Sequence, residues 1–159
     1  MATDTKYRIF KEIYDEETKR YSELDGKAKL YVTIITFYLG ATAFKFKDVI
    51  ELTGAVPCGR WLYLAMGSVL IAALLCTVLA IRIRNFEGIC NPVEVIREIA
   101  KTLPNDDDFR EDRIVDLAVA TNRNSAQNDN IARNLSFASV FILLAGIIQF
   151  ALFAIALAK

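Results

Sequence analysis

The chain has no histidine, only three prolines and three cysteines, seven scattered glycines and no net charge, and each scarcity closes off a class of function. Without histidine it lacks the commonest general base and metal ligand near neutral pH, and every Ser-His or Cys-His arrangement. The glycines never cluster into a phosphate-cradling loop. Cys58, Cys76 and Cys90 have the spacing of neither a disulfide framework nor a zinc site and read as free structural thiols. Lys plus Arg equals Asp plus Glu at 19 each, so bulk charge gives no case for nucleic-acid binding. Glu16-Glu17 and Asp106-Asp107-Asp108 are acidic clusters on solvated helix faces or starts, where negative charge complements the helix dipole. The expectation is a protein that is not an enzyme, with no catalytic residues, no metal and no resident cofactor.

What the chain has in excess is apolar sequence: 54%, above the globular norm of roughly 45–50%. Charge-free runs extend from Leu30 to Phe44, Trp61 to Ile81 and Leu135 to Ala158. A helix needs about 20 residues to cross the hydrocarbon core. The second and third runs reach that length, and Lys29 and Lys45 can snorkel to extend the first. The residues before Leu30 alternate basic and acidic groups, so no apolar core of a cleavable signal is expected there.

The fold expected is all-α: an integral membrane protein with three transmembrane helices and a helical cytosolic region. Its parts are a cytosolic N-terminal helix over 1–29, two spans joined by a short outer loop over 30–84, a cytosolic helical region over 85–134, and a third span over 135–159. In the first part, Tyr7, Phe10, Tyr14, Tyr21, Leu24 and Ala28 recur in steps of three, four or seven, with Glu17 interrupting the stripe. Three tyrosines one heptad apart suit either a partner helix or the headgroup region of a bilayer. Gly54, Pro57 and Gly59 mark a loop from Lys45 to Arg60, before Trp61 and Tyr63 open the second span. Asn91-Pro92 reads as the cap and first turn of a helix ending near Leu103, and a longer helix starts near Asp108 and runs into the third span. Eight basic residues lie between Arg82 and Asn134 (Arg82, Arg84, Arg97, Lys101, Arg110, Arg113, Arg123, Arg133) against Lys45, Lys47 and Arg60 in the first loop. The positive-inside rule then puts the N-terminus in the cytosol and the C-terminus outside.

Within the last helix, Ile114, Ala118, Thr121, Ser125, Asn128, Ala132 and Leu135 alternate steps of four and three, forming a seam that is polar in its middle. Polar seam residues commonly fix helix register. They also suit a ligand, with amides reading a base edge and Arg113 or Arg123 gripping a phosphate. Deep in the spans, Gln149 is the one strongly polar side chain, suited to an interhelical hydrogen bond.

The order of parts resembles the membrane effectors of bacterial anti-phage signalling, the Pycsar transmembrane effectors and SLATT proteins. Leu24-Asp25-Gly26-Lys27-Ala28 is similar to the D-x-K-A approach to the first span in that family. Two spans follow, then a helix after Asn91-Pro92, then a second helix carrying Gln127 and Ile131-Ala132-Arg133-Asn134 into the last span. The family often has Lys where Arg133 stands. The resemblance implies a non-enzymatic inner-membrane effector, triggered by a cyclic nucleotide from a separate cyclase to oligomerise and impair the membrane. For such a ligand the candidate contacts are Arg82, Arg84, Arg113, Arg123 and Arg133 for phosphate, and Asn124 and Asn128, which share a helix face, for the base. The expected partners are the lipid bilayer and further copies of the chain. The alternative is a membrane scaffold or regulatory subunit that anchors a partner protein through the tyrosine stripe.

Overall fold

The computed structural model describes residues 2–44, 47–48, 51, 57–82 and 106–157, and is all-helical. Helix α1 spans Ala2–Phe44 (43 residues), α2 spans Pro57–Arg82 (26 residues), and α3 spans Asp106–Leu157 (52 residues). The expected helix between Asn91-Pro92 and Leu103 lies outside the described residues. Two compact units emerge, one of residues 1–24 with 84–130, the other of residues 25–83 with 131–159.

The start of α2 differs from the sequence reading. Pro57 opens the helix and Gly59 is buried within it, rather than both serving as loop residues. Proline is favoured in a first helical turn because its missing N–H would go unpaired there anyway. The start of α3 at Asp106 agrees with the reading of the aspartate run as a helix start.

In the first unit α1 and α3 run parallel: Asp4 meets Arg110 at 3.2 Å and Arg20 meets Asp129 at 2.6 Å. Tyr14, Leu117 and Ala120 form its small core, with Tyr7 and Phe10 packed against them. The tyrosine stripe therefore has a partner helix, and it is the chain's own α3. Buried positions on α3 recur at Leu117, Ala120, Asn124, Asn128, Ile131 and Leu135. The seam is thus rotated from the one read in the sequence. Asn128 and Leu135 belong to both, whereas Ile114, Ala118, Thr121, Ser125 and Ala132 flank it, half-buried.

In the second unit the three helices pack around Tyr63, Met66, Leu70, Ala145 and Leu152, with Tyr38, Leu39, Leu62, Val69 and Ile148 against them. α2 is antiparallel to the other two: the Tyr63 hydroxyl, near its start, donates to the Thr42 carbonyl near the end of α1. Tyr31 and Ser139 share a hydrogen bond at 2.6 Å between α1 and α3. Alanines 73, 138 and 145 are wholly buried, and their small side chains let the helix backbones approach closely. Lys29 pairs with Asp25 at 2.6 Å across one turn, just before the first apolar run.

α2 and α3 are long and apolar enough to cross a membrane, with mean hydropathies of 2.6 and 2.7 in their most apolar stretches. Only 28% and 11% of those stretches are buried within the chain. The apolar run of α1 falls short of that test, although Leu30, Ile34, Phe37 and Phe44 are exposed on it.

Gly26 supplies a first prediction. It lies inside α1, a Cβ built on it meets nothing within 4 Å, and its φ is not positive. Glycine in a helix interior costs about 0.5–1 kcal/mol relative to alanine. Gly26→Ala is expected to stabilise the chain by that amount, read as a raised thermal midpoint of the purified protein.

Candidate functional site

The polar part of the first unit is built where two apparent flaws in the apolar stripes meet. On α1, positions 7, 10, 14, 17, 21 and 24 alternate steps of three and four, so Glu17 stands on the stripe rather than beside it. On α3, Asn124 and Asn128 are fully buried one turn apart. Asn128 Nδ2 donates to the Glu17 backbone carbonyl at 3.0 Å and to Glu17 Oε2 at 2.7 Å. A polar group buried on one helix costs free energy unless the facing helix supplies a complement, and Glu17 is that complement.

Arg20 extends the cluster, lying 2.6 Å from Asp129 and 3.6 Å from Glu17. The hydrogen bond to Asp129 holds the Arg20 pKa above its usual value, with Glu17 adding to the effect and partial burial opposing it. Both members of the Arg20–Asp129 pair are well exposed, so it orients the helices more than it stabilises them. Glu17, Arg20 and Asp129 were not singled out from the sequence as site residues. The available signal was the heptad position of Glu17: a carboxylate on an apolar stripe demands a polar group opposite.

Three buried side-chain oxygens, Thr121 Oγ1, Gln127 Oε1 and Asn128 Oδ1, have no hydrogen-bond partner among the described residues. With the Asn128 amino group committed to Glu17, the amide offers an acceptor, which suits an N–H or O–H from water or a ligand and repels a phosphate oxygen.

The candidate cations fall into different settings. Arg113 is mostly covered, bonded to Asp116 at 3.1 Å and set 5.7 Å from the centre of the Phe109 ring. Arg123, also in the first unit, is exposed. In the second unit Arg82 is exposed in the last turn of α2, where a cation complements the helix dipole, and Arg133 is exposed on α3. Arg84 lies outside the described residues. Among the described residues no group of three or more acidic or cysteine side chains could hold a metal ion.

No family model, curated protein or solved structure matches the chain.

Proposed function

We propose that the chain is a non-enzymatic inner-membrane effector: a three-span anchor whose cytosolic helix pair senses an infection signal, and whose association then impairs the membrane. The observation that carries the membrane part is the exposure of the second unit's apolar side chains. Phe37, Trp61, Leu64, Leu143, Phe150 and Phe153 are each more than half exposed. A patch this continuous is unstable in water and is what hydrocarbon solvates. In this reading α1 completes the bundle as a third, shorter span, with Lys27 and Lys29 at the cytosolic boundary and the C-terminus outside.

The sensing part rests on the polar layer of the first unit, where the bonds from Asn128 to Glu17 tie the helix pairing to polar groups for which a ligand can compete. A ligand acts there only through differential affinity for the two packings. A cyclic nucleotide from a separate cyclase fits the resemblance to anti-phage effectors, its phosphate meeting exposed arginines and its exocyclic amine meeting a freed acceptor. The scaffold reading has less support, since Tyr14 is buried against α3 and the tyrosine stripe is already occupied.

The test is calorimetry of the purified chain with a panel of cyclic mono- and dinucleotides, paired with dye leakage from vesicles holding the protein. One ligand is expected to bind and to trigger leakage, and Arg123→Ala, in the unit that holds the polar layer, is expected to weaken binding at least tenfold. Leakage on overexpression with no binding by any nucleotide would refute the nucleotide trigger and leave a protein or membrane trigger. A chain that binds a nucleotide yet never permeabilises vesicles would refute the effector role.

A further inference from the structure

Gln149 stands on α3 in the stretch between Leu135 and Leu157, where the other exposed side chains are almost all apolar. Its side chain is exposed, and among the described residues none hydrogen-bonds to it. Exposed hydroxyls elsewhere in the second unit serve themselves: Thr33 donates to the Lys29 carbonyl at 3.0 Å and Ser68 to the Leu64 carbonyl at 2.9 Å. The Gln149 amide has no such local bond. In hydrocarbon an unpaired amide is expensive, and water is not there to pair it.

Gly146 lies three residues earlier, on the same side of α3 and also exposed, and a Cβ built on it meets nothing within 4 Å. The chain's own packing does not require glycine there. On a membrane helix a glycine opens a notch into which another helix backbone can settle.

We propose that Gln149 and Gly146 form the contact face for a second copy of this chain, two α3 helices meeting about a two-fold axis. The occupant follows from the chemistry of the group. A primary amide is self-complementary, with a donor and an acceptor side, so two copies related by a two-fold exchange a pair of hydrogen bonds without any other polar partner. A lipid tail can do neither. The face rests on the membrane reading above and specifies where association occurs.

The test uses the full chain in nanodiscs or native membranes, with Cys58, Cys76 and Cys90 replaced by alanine. Gln149→Cys is expected to form an intermolecular disulfide under mild oxidation, whereas Ile147→Cys, about 160° around the helix, is not. In the parent chain Gln149→Leu is expected to weaken self-association roughly three- to tenfold, the range for one interhelical polar contact in a bilayer, with Gln149→Asn weakening it less. Gly146→Leu is expected to weaken it as well. Resistance to carbonate extraction is measured on the same membranes. A chain that stays in the bilayer but shows unchanged association in Gln149→Leu, or equal cross-linking at 147 and 149, overturns the face and leaves the membrane reading intact. A loss of unfolding stability in Gln149→Leu without loss of association also overturns it, placing the amide's partner within the same chain. Release of the chain by carbonate overturns both readings.

Discussion

Asn128→Ala is expected to destabilise the chain by about 1.5–3 kcal/mol, the range for a buried hydrogen bond to a charged group, and to raise its unfolding rate in the first unit. The change removes both bonds from Nδ2 and leaves the Glu17 carboxylate, only 17% exposed, facing an apolar gap. Glu17→Ala alone is expected to cost less, because the Asn128 amide keeps its bond to the backbone carbonyl of residue 17, whereas Asn128→Ala leaves the carboxylate with Arg20 alone. The decisive measurement is the double-mutant cycle in thermal or denaturant unfolding. The cycle comprises Glu17→Leu, Asn128→Leu and the two together; the double variant removes both polar partners and fills the volume, and is expected to recover most of the loss of the single changes or exceed the parent stability. Strict additivity of the single changes would mean that the two side chains are not energetically coupled. A recovered double variant that no longer responds to any trigger would separate the polar layer's role in switching from its role in holding the fold.

Ile147→Arg carries the second large effect, and its sign depends on the solvent around the second unit. Ile147 is 59% exposed on α3. If water bathes that face, an arginine there costs less than about 0.5 kcal/mol and improves solubility. If lipid does, a central arginine costs about 2.5–3.5 kcal/mol of insertion free energy, near a hundredfold in the inserted fraction. The expected result is a sharp fall in carbonate-resistant protein, with Ile147→Leu unchanged. Equal membrane levels for the two variants would place this face in water.

Much of the architecture was readable because helix physics is local. The lengths of the apolar runs, the continuity of α1 from Ala2 and of α3 from the aspartate run, and the Asp25–Lys29 pairing all depend on residues a few positions apart. Seam phase was less accessible. On α3 the sets beginning at Ile114 and at Leu117 are both built of steps of three and four, and both mix apolar with polar residues. Which of them is buried is decided by α1, whose Tyr14 chooses Leu117 and Ala120. The site residues split along the same line. Asn128 was visible as an amide within the seam, and Asn124 as its neighbour one turn earlier on the same helix face. Glu17 was visible too, but only as a defect, because its complement lies 111 residues away. Pairing two irregularities from distant helices requires knowing that the helices run parallel and in what register.

The close-packed alanines of the second unit restrict the route that an ion could take. Ala73, Ala138 and Ala145 are wholly buried, as are Ile35, Met66 and Leu70, so the middle of the second unit is filled with hydrocarbon side chains, apart from Thr77, whose hydroxyl is committed to the Ala73 carbonyl. An ion threading it would shed its hydration shell with no oxygen to replace the lost water, which a membrane conductor avoids by lining its path with carbonyls or charges. Conduction through one protomer is therefore closed by construction. On the effector reading proposed above, a leak would have to run along the outer surface, between neighbouring copies or between protein and lipid, and its size would follow the number of copies that gather rather than how far one of them opens.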